Sequence, residues 1–111
     1  MALNENLLSE IDVAMSEWCL ERVPPQYKHK LDHDYEIDGK VITIFEVRPD
    51  DAGRPLRRSC AQVKYKAKYE WRLYRKMKSG AWQTYEPLPC TPSLGAALGY
   101  IGIDPDGLFF G

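Results

Sequence analysis

HDYEIDGKVITIFEV (33–47) decides the fold. Two runs rich in β-branched and aromatic residues flank Asp38-Gly39, a pair that favours a two-residue hairpin loop because both central residues of a type I′ turn need positive φ. The turn predicts an antiparallel hairpin with Ile37 opposite Lys40, Tyr35 opposite Ile42 and His33 opposite Ile44. One face then carries Tyr35, Ile37, Ile42 and Ile44, and the other sets Asp32, Asp34 and Glu36 against Phe45, Thr43 and Val41. Val41 to Val47 is apolar on both faces, which predicts a central strand whose reverse face needs a cover.

Upstream of the hairpin, Leu7, Leu8, Ile11, Ala14, Met15 and Trp18 recur at helical spacing. They predict an amphipathic helix of four or five turns, capped by Asn4 and stopped by Pro24-Pro25. Downstream, RPDDAGRP (48–55) reads as a loop, and strand character resumes at Ser59 or Cys60. Ala61, Val63 and Tyr65 alternate with polar residues, a turn falls near Ala67 to Tyr69, and a further strand runs from Glu70 to Met77. Ser79-Gly80 predicts a second two-residue loop, pairing Lys76 with Gln83 and Tyr74 with Tyr85. Thr91-Pro92 should cap a short helix striped by Leu94, Ala97, Leu98 and Ile101 and stopped at Gly102, with Gly95 and Gly99 tolerated through close backbone approach. The tail DPDGLFFG (104–111) is a turn followed by Leu108, Phe109 and Phe110, which are expected to dock, with the uncovered sheet face as a candidate place.

These elements predict one α+β domain over residues 1–111: an N-terminal helix, an antiparallel meander of about five strands, a short C-terminal helix and a docked tail. With 44% apolar and 28% charged residues the chain is neither disordered nor membrane-spanning in composition. Met1 to Leu8 has no basic flank, and Cys19, Cys60 and Cys90 are three in number with no CxxC pair; both point to a cytoplasmic protein with unpaired thiols. The net charge of −1 conceals a strong asymmetry. Residues 1–56 hold 6 Lys and Arg against 12 Asp and Glu, whereas residues 57–111 hold 9 against 4, giving −6 and +5. Such a dipole can orient a charged partner or drive self-association of opposite faces.

The basic half is threaded with aromatics. From the predicted register Arg72, Tyr74, Lys76 and Tyr85 converge on one face, with Lys64 and Lys66 extending it. Cations beside exposed rings could hold a single-stranded nucleic acid by charge and stacking, and the same pattern also serves as a solvated sheet face. Glu46 and Arg48, two apart on one strand, share a face and read as an ion pair or a polar ligand site. Asp104-x-Asp106-Gly107 matches the opening of a calcium loop but lacks its later acids, so a turn is expected. His29 and His33 have no cysteine pair to complete a metal site, and no GxGxxG or P-loop is present. No catalytic, cofactor or metal set is assembled by these motifs.

Four segments carry a resemblance: YEIDGKVITIFEVRP (35–49), AQVKYKAKYEWRLYRK (61–76), WQTYEPLP (82–89) and DPDGLFFG (104–111). Through Glu46, Arg48 and Pro49, through Trp71, Leu73 and Tyr74, through Trp82 and Tyr85, and through the terminal D-x-x-G-x-F-x-G, the chain resembles the bacterial domain-of-unknown-function family numbered 3024. It departs at Phe110, where a tryptophan is more typical, and in a glycine-rich second helix. The resemblance implies a small stand-alone bacterial protein and carries over no activity, cofactor or catalytic residue. The expected function is therefore a non-enzymatic binding or accessory module for a protein partner or for itself, as a homodimer. The alternative is single-stranded nucleic-acid binding through the basic-aromatic face.

Overall fold

The computed structural model describes residues 3–110. The first element, α1 (Glu5–Arg22), starts at Asn4, whose Oδ1 accepts from the Leu7 N–H at 2.8 Å and satisfies one of the helix's orphan donors. A short 3-10 turn at Pro25–Tyr27 follows the prolines. Strands β1 (Asp32–Asp38), β2 (Val41–Pro49), β3 (Pro55–Ala67), β4 (Glu70–Lys76), β5 (Trp82–Thr84) and β6 (Cys90–Thr91) precede α2 (Leu94–Ile103). The sheet is antiparallel throughout in the order β1-β2-β3-β4-β5, and β6 shares the outer edge of β4 with β5. The architecture is the α+β meander predicted. Among the described residues no helix is long and apolar enough to cross a membrane.

Both helices lie on one face of the sheet. Ile11, Met15 and Cys19 of α1 and Leu94, Ala97, Leu98 and Ile101 of α2 bury themselves against Ile42, Ile44, Ala61, Val63, Trp71 and Leu73. Burial of each Ile, Leu, Val or Met side chain among them contributes about 1.5–3 kcal/mol.

The first hairpin differs from expectation by two residues in register. Ile37 faces Ile42 and Tyr35 faces Ile44, with Gly39-Lys40 as the loop. Gly39 alone has positive φ, at 61°, the requirement of a type II′ turn. A shift of two restores the side-chain parity, so Tyr35, Ile37, Ile42 and Ile44 share the inner face as expected.

The second hairpin differs by one residue, and there the parity changes. Met77 N–H donates to Ala81 O at 2.8 Å and Gly80 has φ 92°, so the loop is Lys78-Ser79-Gly80 rather than Ser79-Gly80. Lys76 therefore pairs with Trp82 and Tyr74 with Thr84. Trp82 moves to the outer face, and Tyr85 turns inward to complete burial.

Two details of the C-terminal third also depart from the sequence reading. Thr91 is taken up by β6, opposite Trp71, and Ser93 caps α2 through Ala96 N–H at 3.0 Å. A Cβ on Gly102 would lie 3.3 Å from an Arg22 guanidinium nitrogen, so close approach explains that glycine, while Gly95 and Gly99 face no comparable neighbour. The helix ends at Asp104, which takes the left-handed conformation with φ 48°.

Asp104 then holds the tail. Its carboxylate accepts from the N–H groups of Phe109 and Phe110 at 3.1 and 2.9 Å, while Gly107 N–H donates to Asp104 O at 3.0 Å. Phe109 is 2% exposed and its ring centroid lies 4.7 Å from that of Tyr85; Phe110 stacks on Trp18 and meets His33 edge-on. The tail thus docks on the helical side, not on the uncovered sheet face. Gly111 lies outside the described residues.

Candidate functional site

Among the described residues no helix or strand covers the face away from the helices. Side-chain parity and register lay out its rows. One row runs Asp38, Val41, Lys64, Arg72, Cys90 across β1, β2, β3, β4 and β6; the next runs Glu36, Thr43, Gln62, Tyr74, Thr84, ending on β5. A third starts with Asp34, Phe45 and Ser59, and Lys76 pairs with Trp82 at its far end. Acids therefore occupy the β1 side and cations the β3–β4 side of one continuous surface. The apolar residues of its centre, Val41, Phe45 and Val47, are half-buried, and among the described residues no helix or strand packs on them.

Side chains, not backbone, supply the partial cover of β2. The Arg57 guanidinium lies 3.9 Å from the Phe45 ring centroid and spans to Asp34 at 3.2 Å and Glu36 at 2.9 Å. Gln62 Nε2 donates to Thr43 Oγ1 at 3.0 Å. Arg72 is paired with Glu70 at 2.7 Å, and Lys76 Nζ donates to Ser59 Oγ at 2.6 Å, with the Trp82 ring 6.0 Å from the ammonium.

Of the residues expected on the basic-aromatic face, Arg72, Tyr74, Lys76 and Lys64 are brought together, and Lys66 lies exposed at the β3 end. Tyr85 is not there. The three-residue loop turns it into the core, where its hydroxyl donates to Asp106 Oδ2 at 2.6 Å. Burial, the Asp106 carboxylate and the Tyr100 hydroxyl all raise its pKa. Trp82 stands in its place.

Glu46 and Arg48 do pair, at 2.8 Å, on the helical side near the end of the sheet. A third group joins them: Arg58, directly opposite Glu46, approaches to 3.4 Å. Burial pushes the Glu46 carboxyl up, but the hydrogen bond and charge of Arg48 with the charge of Arg58 outweigh it, and the net shift is downward. Arg48 lines a shallow pocket with Lys28, Asp32 and Pro49, whereas Glu46 lines no part of it. An ion pair is what the structure contains.

Three further titratable groups, His33, Cys19 and Cys60, are buried, whereas His29 and Cys90 are exposed. His33 sits between Trp18 and Phe110, with ring centroids at 6.0 and 5.2 Å, and burial followed by the Arg22 charge lowers its pKa. Burial raises the thiols of Cys19, to about 11, and of Cys60. Among the described residues no group of three or more His, Cys, Asp and Glu is clustered as a metal ion requires.

A family model described as domain of unknown function DUF3024 matches residues 3–111, nearly the entire chain. The chain belongs to the DUF3024 family. No curated protein and no solved structure gave a match. The features that carried the resemblance are structural in this DUF3024 chain: Glu46 and Arg48 pair, Trp71, Leu73 and Tyr85 are core, and Asp104, Gly107 and Phe109 fasten the tail. Tyr74 and Trp82 are the two motif aromatics left on the uncovered face.

Proposed function

We propose that this DUF3024 chain is a non-enzymatic binding module whose working surface is the uncovered sheet face, and that a second copy of the chain occupies it. The observation that carries this is the segregation of charge across a half-exposed apolar centre. Asp34, Glu36 and Asp38 lie on the β1 side, the first two bridged by Arg57 from β3, and Lys64, Arg72 and Lys76 lie on the β3–β4 side, where Glu70 pairs with Arg72. Rotation by 180° about an axis parallel to the strands lays the acidic side of one copy over the basic side of the other, twice, and the apolar strips meet between them. A two-fold interface needs such a self-complementary patch. Among the groups that chemistry would need, Glu46 is held by Arg48 and Arg58, and His33, Cys19 and Cys60 are buried.

Five strands about 4.8 Å apart and about six residues long give a patch of roughly 24 by 20 Å. Two such faces bury about 1,000 Å², the lower range of specific interfaces, so a dimer in the micromolar range that weakens with salt is expected. Sedimentation at low and high salt checks it. Lys64→Glu with Arg72→Glu should give a monomer, as should Glu36→Lys with Asp38→Lys, and mixing the two variants should restore a heterodimer. A wild-type chain that stays at 12.8 kDa at every concentration and salt removes the reading.

The arrival of Trp82 beside Tyr74, Lys64, Arg72 and Lys76 favours a second reading, single-stranded nucleic acid. Anisotropy with labelled oligonucleotides separates the two. If a strand binds, Arg72→Ala with Lys76→Ala should flatten the salt dependence, and Tyr74→Ala with Trp82→Ala should weaken binding with little change in slope.

A further inference from the structure

Where the first half of β3, the end of β4, the β4–β5 turn and the tail meet, the surface forms an open cavity of about 370 Å³. Its polar wall is Arg58, Ser59, Lys76 and Lys78, and its apolar wall is Met77 and Phe109. Three cations face it with no carboxylate among the lining residues. Elsewhere cations come with acids: the groove beside the β3–β4 turn sets Lys68 with Glu10, and the pocket beside β1 sets Lys28 with Asp32. Like charges gathered around a concave space repel one another unless an anion joins them.

The cavity is also organised at the atomic level. Phe45 faces Ser59 while Ile44 faces Ala61, so Cys60 is an extra residue, a bulge that bends β3 and re-aims its side chains. Ser59 Oγ accepts from Lys76 Nζ, which fixes the ammonium and leaves the hydroxyl hydrogen free to donate to an incoming oxygen. Glu46 shares its single charge between Arg48 and Arg58, so it does not cancel Arg58. The set is one guanidinium fork, two ammonium groups and one hydroxyl donor, with an apolar wall that strengthens each contact.

We propose that this cavity binds a phosphoryl dianion, either inorganic phosphate or the terminal phosphate of a monoester. Lys76 links it to the uncovered face, since its ammonium lies 6.0 Å from the Trp82 ring centroid. A monoester carrying a flat heterocycle can therefore place its phosphate on the cations and its ring on Trp82. The site shares Ser59 and Lys76 with the sheet face, while Arg58, Lys78 and Phe109 lie outside its rows, so phosphate binding can be followed independently of the oligomeric state.

The test is a titration of the full chain at constant ionic strength, with chloride as background, followed by amide NMR and tryptophan fluorescence. Inorganic phosphate should give saturable shifts at Ser59, Cys60, Lys78 and Gly107, and adenosine alone should give none. Tighter binding of adenosine 5′-monophosphate than of phosphate assigns the site to monoesters, with Trp82→Leu removing the difference; equal binding assigns it to free phosphate. Lys76→Gln with Lys78→Gln should weaken either ligand about tenfold or more, while Lys40→Gln, outside the cavity, should not. Shifts that fail to saturate, or an affinity unchanged in Lys76→Gln with Lys78→Gln while the fold is intact by NMR, would overturn the proposal.

Discussion

Removing residues 108–111 should lower the stability of the chain by about 4–6 kcal/mol, a large part of the 5–15 kcal/mol typical of a domain. Phe109 accounts for most of it. At 2% exposure against the Tyr85 ring it is a core residue, and deleting such a side chain costs about 3–5 kcal/mol. Loss of Phe110 uncovers Trp18 and His33, and the Asp104 carboxylate loses two N–H donors while its backbone stays left-handed. A urea titration followed by tryptophan fluorescence checks this. Phe109→Ala should reproduce most of the shift, and Leu108→Ala, at a residue 39% exposed, should change the midpoint little. A truncated chain with the wild-type midpoint would show that the tail adds nothing to the fold.

The two hairpins show how far sequence can carry a register. In both, a glycine after a polar residue marked the turn, because positive φ selects glycine. Positive φ is required at the second loop position of type I′, at the first of type II′ and at the last residue of a three-residue loop, and the glycine does not say which is formed. At Gly39 the alternatives differ by two residues in register and leave the inner face intact. At Gly80 they differ by one, and Tyr85 and Trp82 exchange faces. The apolar character of Trp82 gave no signal against the wrong register, since a tryptophan fits either side of a sheet edge.

The helices were legible because Ile11, Met15 and Cys19, and Leu94, Ala97, Leu98 and Ile101, keep one stripe over several turns. The groups around the candidate sites were less so. Glu46 and Arg48 are neighbours on one strand and could be paired on paper, but Arg58 joins them only through the register of β2 with β3. The basic cavity draws on residues 58–60, 76–78 and 107–109, three segments with no common motif. Its two decisive devices, the bulge at Cys60 and the tail fastened by Asp104, are tertiary outcomes. DPDG reads as a turn from sequence, yet its work in seating Phe109 depends on Tyr85 facing inward.

Stability should fall as the pH rises from 9 to 11, with Cys19 as one of the titrating groups. Burial, with the nearby charges of Asp34 and Asp32, raises its thiol from 9.0 to about 11. The folded state therefore keeps the proton over a range in which the unfolded chain has released it. A raised folded pKa contributes stability that is complete below pH 9 and is lost between 9 and about 11. That difference corresponds to about 2–3 kcal/mol from Cys19. Cys60, Tyr35 and Tyr85 act in the same direction, each raised chiefly by burial. Urea midpoints measured from neutral pH upward should hold steady to about pH 9 and then decline. Cys19→Ala removes a small buried side chain and so starts lower, but its decline should be shallower, with the remaining slope due to Cys60, Tyr35 and Tyr85. A wild-type midpoint independent of pH over this range, or a Cys19→Ala chain with the same slope, would mean that the Cys19 thiolate is tolerated between α1 and β1 as well as in water.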